Sequence, residues 1–264
     1  MADSAPRHVV VTGASSGIGR ALALAYAAPG VTLGLLGRDV ERLAASAQAC
    51  RARGAQARTG SIDASDAEAL KAWLDAFDAD HPIDLLIANA GASSTLAHAG
   101  EWEDLARTTH IVDTNFYGAL HVALPVIERM RARGRGQIVL VASLIALRGM
   151  SIAPAYSASK AALKAWGDAV RPLLQRRGIA VSVVLPGFVK TTMSDSYPGD
   201  KPSMWSVEQA ADYIRRKVAE RRAEIAFPFL LQLGARLLAL LPAAWADRLS
   251  FNLPDGPAGG DAER

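Results

Sequence analysis

Cysteine is almost absent from this chain. Cys50 stands alone among 264 residues, so no intrachain disulfide can form, and a reducing compartment fits that count. Five histidines and one cysteine show no ligand spacing, so no metal site is expected. An excess of charge of one sign is missing too. Lys and Arg number 29 against 26 Asp and Glu, and a net charge of +3 gives no case for nucleic acid even with a pI of about 9.2. The N-terminus, MADSAPRHVVVTG, enters an apolar run at once and has no separate signal-peptide core, so the expected location is the cytoplasm. No Pro/Gly/Ser-rich linker and no repeat divides the chain, which reads as one domain.

Half of the residues are hydrophobic, enough to bury a sizeable core. Short aliphatic runs at 8–12, 31–36, 55–60, 83–88, 137–142 and 179–185 are continuous rather than alternating in polarity, as in strands buried on both faces. Ala- and Leu-rich segments at 17–28, 39–53, 65–79, 103–132 and 156–177 lie between them. Strand and helix in strict alternation predict an α/β fold, a doubly wound parallel sheet of Rossmann type, over residues 1–253. The Gly/Pro-rich, charged residues 254–264 read as a disordered tail.

The first run ends in Thr12-Gly13-Ala14-Ser15-Ser16-Gly17-Ile18-Gly19, and a helix follows. Glycines let the backbone turn tightly against a pyrophosphate, and the new helix offers free N–H groups and a positive dipole end. Ser15 and Ser16 add hydroxyl donors. The second run closes on Leu36-Gly37-Arg38-Asp39. Gly37 stands where many NAD-binding folds place a ribose-binding acid, and a guanidinium at 38 suits a 2′-phosphate, which favours NADP(H) over NAD(H). The plainer reading makes Arg38 a surface residue and Asp39 the cap of the next helix.

Tyr156 and Lys160 are four residues apart on one helical face. An ammonium beside a phenol favours phenolate and makes Tyr a usable proton donor or acceptor for an alcohol/carbonyl pair. Ser143 follows the fifth run at the carboxyl edge of the sheet, where ligands of such folds sit.

Taken together, Thr12–Gly19, Asn89-Ala90-Gly91, Asn115, Ser143, Tyr156-Ser157-Ala158-Ser159-Lys160 and Pro186-Gly187 occur in an order that resembles the short-chain dehydrogenase/reductase family over roughly residues 8–225. The resemblance implies a nicotinamide-dependent oxidoreductase. It makes Tyr156 the acid/base, Lys160 the residue that lowers its pKa and holds the nicotinamide ribose, and Ser143 the residue that orients the substrate oxygen. It makes Asn115 the holder of a proton-relay water, Asp63 the contact of the adenine amino group and Asn89 a neighbour of the adenosine. Pro186, Gly187 and Thr191 become the loop that holds the carboxamide, although Thr191 also reads locally as a helix cap. Two positions depart from the pattern: Ala88 replaces the first Asn of Asn-Asn-Ala-Gly, and Ala142 stands where many relatives have a second Ser. The family commonly forms dimers or tetramers, so a homo-oligomer through 103–132 and 156–177 is implied.

The apolar stretch FPFLLQLGARLLALLP at Phe227–Pro242 predicts a C-terminal helix over 227–241. It is too short to span a membrane, which takes about 20 residues. It reads as a cover over the substrate pocket or a subunit contact, or else as an interfacial helix on a membrane beside the basic residues of the upstream helix, Arg215, Arg216, Lys217, Arg221 and Arg222. Each version surrounds the pocket with apolar residues, so the expected substrate is a hydrophobic carbonyl or alcohol. Two other classes remain open: a non-catalytic NADP(H)-binding regulator or scaffold, and a nucleotide-sugar epimerase or dehydratase. The intact Tyr/Lys/Ser/Asn set speaks against the first and the short C-terminal region against the second.

Overall fold

A computed structural model describes residues 5–96, 101–197 and 200–249; the tail expected at 254–264 lies outside them, as does part of the loop at 92–100. Strand β1 (His8–Thr12) leads into α1 (Gly17–Tyr26), then β2 (Thr32–Gly37), α2 (Val40–Arg51), β3 (Gln56–Ser61), α3 (Ala67–Asp80) and β4 (Leu85–Ala88). The second half runs α4 (Leu105–Val112), α5 (Gly118–Arg133), β5 (Gly136–Val141), α6 (Pro154–Gln175) and β6 (Ile179–Pro186), then α7 (Thr192–Asp195), α8 (Val207–Ala219), β7 (Glu224–Phe227), α9 (Phe229–Leu240) and α10 (Ala243–Leu249).

The strands form one sheet in the order β3-β2-β1-β4-β5-β6-β7, every pair parallel. Alternation along β1 explains the layers. Val9 and Val11 pack with Leu22, Leu43 and Ile214 on one side, while Val10 packs with Leu74, Phe77 and Val126 on the other. Both faces are therefore dry, as a doubly wound sheet requires. The order in which strands are added reverses between β1 and β4, and such a switch point opens a crevice at the strands' carboxyl ends.

Local chemistry sets the helix starts. Asp39 caps α2 by accepting from Arg42 N at 3.0 Å, and Asp66 caps α3 by accepting from Ala69 N at 2.9 Å. The six expected strands are all present, but a seventh was not anticipated. Phe227, read as the first residue of the C-terminal helix, instead ends β7, which pairs with β6 from Val183↔Glu224 to Pro186↔Phe227. Its ring is buried, stacked on Trp205 at 4.8 Å and set edge-on to Tyr213 at 5.3 Å. Pro228 has no N–H with which to extend the ladder and becomes the cap of α9. Arg221 and Arg222, assigned to the upstream helix, lie beyond its end.

The segment 103–132 also differs from one regular helix. Between α4 and α5 the chain makes a wide π turn over Asp113–Tyr117. Inside it, Asn115 exchanges two bonds with the backbone of Ala92: its Oδ1 accepts from Ala92 N at 2.7 Å and its Nδ2 donates to Ala92 O at 2.9 Å. A side chain held outside the helix displaces the regular i→i−4 ladder, and π turns of this kind gather at functional sites.

Candidate active site

The glycine turn ends β1 at the switch point. Helix α1 has no side-chain cap and no acid in its first turn, so its first N–H groups are free for an anion. Gly13 and Gly17 adopt φ of 67° and 53°, conformations that side chains rarely tolerate. The turn is braced from β4. Asn89 Nδ2 donates to Thr12 O at 3.0 Å, and Thr12 Oγ1 accepts from the N–H groups of Asn89 and Ala90 at 3.0 and 2.9 Å. Asn89 thus sits beside the expected adenosine site, but its amide is engaged in holding the turn.

Thr12, Gly13, Ser15, Ser16, Gly17 and Ile18 line a cleft of about 910 Å³ that also takes in Arg38, Asp63, Asn89 and Gly91, then Ser143, Tyr156, Lys160, Pro186, Gly187 and Thr191. Gly19 lies behind the turn, buried. Asn115 is not on the cleft wall. It is fully buried one layer behind Gly91, donating to Ser159 Oγ at 2.9 Å. A Cβ added at Gly91 would sit 3.0 Å from Asn115 Oδ1 and 3.4 Å from Lys160 Nζ, so the two polar groups meet around that glycine.

Helix α6 brings Tyr156 and Lys160 to the cleft floor. Ser143, at the end of β5, sits beside the Tyr156 phenol, donates to Pro186 O at 3.4 Å and accepts from Ile145 N at 3.3 Å. Lys160 Nζ donates to Val141 O at 2.9 Å and stands 5.8 Å from the Tyr156 ring centroid. Here the electrostatics differ from expectation. Burial raises the Tyr156 pKa, with Ser143 the opposing influence, and burial lowers Lys160 to about 8. The ammonium donates to a strand carbonyl, and burial rather than the Lys160 charge sets the direction in which Tyr156 is shifted. A phenol held neutral at pH 7 is a proton donor rather than a base.

At the far end of the cleft, Arg38 Nη1 lies 3.5 Å from Asp63 Oδ2, both side chains largely exposed. Asp63 also accepts from Ser65 N at 2.9 Å and Ser65 Oγ at 2.7 Å, bonds that hold its carboxyl below the usual aspartate range together with the Arg38 charge. Thr191 lines the cleft, and its Oγ1 caps α7 by accepting from Ser194 N at 3.2 Å, as its local reading as a helix cap expects.

A family model described as short chain dehydrogenase matches residues 7–201. The chain belongs to the short chain dehydrogenase family. An uncharacterized oxidoreductase of Myxococcus xanthus is 35% identical over 244 residues, covering 92% of this chain and 95% of that protein. L-Sorbose reductase from Gluconobacter frateurii, solved with NADPH and L-sorbose, superposes with a TM-score of 0.74 at 24% identity, over 86% of this chain and 96% of its own. A short chain dehydrogenase from Mycobacterium paratuberculosis bound to NAD gives 0.73 at 22% identity, over 83% and 95%. The protein is accordingly an oxidoreductase with a Rossmann-type nucleotide-binding fold.

Sequence reasoning missed two parts of this dehydrogenase's cleft. Arg42 lines it beside Arg38, and its spacing, one helical turn after Arg38, was the available signal. Arg148 lines the wall and pairs with Asp247 of α10 at 2.7 Å. Helix α9 contributes Leu231, Gly234, Ala235 and Leu238, so the C-terminal helix does cover the pocket. Its other side is open: Phe229 is 70% exposed, Leu233 41%, Leu237 55% and Leu240 81%. Among the described residues no helix is long and apolar enough to cross a membrane.

Proposed function

We propose that the protein is an NADP(H)-dependent reductase of hydrophobic carbonyl compounds, running in reverse on the corresponding alcohols. The observation that carries this reading is the single cleft joining the Ser143–Tyr156 pair to the free N-terminus of α1 and to Arg38 and Arg42. These residues fit a dinucleotide: α1 has unpaired donors for the pyrophosphate, and the two guanidiniums suit a 2′-phosphate. We assign Asp63 to the adenine end and Pro186, Gly187 and Thr191 to the carboxamide end; all four line the cleft. When bound, a reduced nicotinamide supplies hydride to the carbonyl carbon. Ser143 and Tyr156 hold the carbonyl oxygen, and Tyr156 gives it a proton. Lys160 and Asn115, meeting around Gly91, form the route by which Tyr156 regains that proton. The intact Tyr156, Lys160, Ser143 and Asn115 set favours this over a cofactor-binding regulator.

Calorimetric titration with NADPH and NADH in parallel tests the cofactor reading. Arg38→Ala should weaken NADPH binding by roughly 10- to 100-fold, the worth of a charge-assisted bond, and leave NADH nearly unchanged. Tighter NADH than NADPH binding by the wild type would overturn it.

The apolar lining from Leu144, Ile145, Met150, Phe188, Met193 and Leu238 supports a greasy substrate. Leu230 and Leu249 line this cleft and are also 74% and 70% exposed, so the pocket rim runs into the open apolar face of α9 and α10. Arg248 lies on the Trp245 side of α10, and Asp247 is paired with Arg148. An apolar face flanked by a cation suits a membrane surface, and we place a peripheral lipid contact there. The protein should cosediment with anionic phospholipid vesicles, and Leu233→Asp with Leu237→Asp should abolish this. No binding to vesicles, with a solution mass of the assembly that halves in the double variant, would make the face a subunit contact instead. The implied homo-oligomer is placed on α4, α5 and α6, where Leu105, Leu124 and Leu173 stand exposed on the single chain; the double variant should leave that assembly intact.

A further inference from the structure

The catalytic helix begins badly by local standards. Its cap position is Ala153, which has no side chain able to accept a hydrogen bond, and Pro154 follows at the first helical position. The Ala153 N–H goes to Met150 O at 3.1 Å, and the first regular helical bond is Ser157 N to Ala153 O at 2.9 Å. Between them the N–H of Ala155, one residue before Tyr156, needs a partner from elsewhere. It donates to Oε2 of Glu103, at 2.7 Å and 52 residues upstream. The other oxygen of the same carboxylate accepts from Ser94 Oγ at 2.6 Å.

We propose that Glu103 is a positioning residue of the active site, a cap supplied from another element that fixes the first turn of α6 and the cleft wall at 93–96 together. A carboxylate is the right group for the task. It accepts two bonds at once, and its charge lies at the positive end of the α6 dipole. Its neighbours tie the same wall down: Arg107 Nη2 donates to Thr95 O at 2.7 Å, and Leu96 N donates to Ile152 O at 2.8 Å. Ser93 and Thr95 of that wall line the cleft. Glu103 itself directly precedes the Asp104 cap of α4, the helix that runs on to Asn115. One carboxylate therefore links the start of the Asn115 segment, the substrate wall and the turn that bears Tyr156. Glu103 touches neither the phenol nor the nicotinamide region; it acts through the position of the first turn of α6.

The proposal rests on the reductase reading above for its kinetic readout, and a second readout is independent of it. Glu103→Ala removes both acceptors. Glu103→Gln keeps an amide oxygen for Ala155 N and an amide that can bond Ser94 Oγ. The expected result is a roughly tenfold or greater fall of kcat in Glu103→Ala, with the Kd for NADPH unchanged and with Glu103→Gln restoring kcat to within about threefold of wild type. Hydrogen exchange of the peptide covering 154–160, measured on the full chain, should speed up by roughly tenfold in Glu103→Ala and not in Glu103→Gln. If the wild type turns over no carbonyl compound, the reductase reading fails while exchange still tests the cap. Glu103→Ala with kcat and exchange both within twofold of wild type would overturn the proposal. So would a kcat loss with unchanged exchange, which would place Glu103 in the chemistry itself.

Discussion

Replacing Tyr156 with Phe should lower kcat by about 100- to 10,000-fold, the range expected when a positioned acid is removed from a proton-transfer step. Cofactor affinity should stay within a factor of two, because the phosphate turn and the Arg38 end of the cleft are untouched. The ring keeps its packing and loses only the hydroxyl, whose neighbour Ser143 retains Pro186 O and Ile145 N. Stability should therefore change by about 1 kcal/mol or less, the net worth of one hydrogen bond. Steady-state kinetics, calorimetric titration with NADPH and thermal unfolding on the same preparation separate these effects. The burial that raises the Tyr156 pKa sharpens the expectation for direction. A neutral phenol can give a proton to a carbonyl oxygen at pH 7, whereas alcohol oxidation must first remove that proton. Wild-type reduction should accordingly be faster than oxidation at pH 7, and oxidation should gain as pH rises. More than a tenth of wild-type kcat remaining in Tyr156→Phe would remove Tyr156 from the acid role.

The doubly wound sheet was legible because a strand buried on both faces reads as a near-continuous apolar run, and β1, β2, β4, β5 and β6 do so with only isolated polar residues such as Thr32, Gln137 and Ser182. Strand β7 was not, since its four residues EIAF join a basic stretch to an apolar one and the signal of Phe227 merged with that of α9. What distinguishes them is a tertiary fact, the stacking of Phe227 on Trp205. The identity of the site residues was legible because chemistry restricts them: few side chains can replace Tyr156, Lys160 or a glycine at positive φ. Their electrostatics were not. That Lys160 points to Val141 O, and that Tyr156 is raised rather than lowered, depends on burial and on strand ends that no spacing reveals. Glu103 was invisible for the same reason. Its partners, Ala155 and Ser94, are joined to it only by the fold.

Gly19→Ala should weaken NADPH binding by roughly a hundredfold or more. Gly19 reads like an ordinary residue in the first turn of α1, and its φ demands nothing of glycine. The reason for glycine is distance. A Cβ there would lie 2.3 Å from Gly13 O and 2.5 Å from Asn89 Nδ2. Neither neighbour can yield cheaply: Gly13 O is backbone, and the Asn89 amide is bound to Thr12 O. The methyl must therefore push the turn away from α1, misaligning the N–H groups that would meet the pyrophosphate. Losing two such charge-assisted bonds, each worth about 1.5–3 kcal/mol, accounts for the size of the effect. Overpacking should also cost about 1–3 kcal/mol of stability, visible in denaturant unfolding without ligand. Gly234→Ala is the control. Nothing lies within 4 Å of a Cβ there, so that variant should gain up to about 1 kcal/mol from helix propensity and bind NADPH as the wild type does. Normal NADPH affinity in Gly19→Ala would mean that the dinucleotide does not rest on this turn, and the cleft would have to be assigned to another ligand.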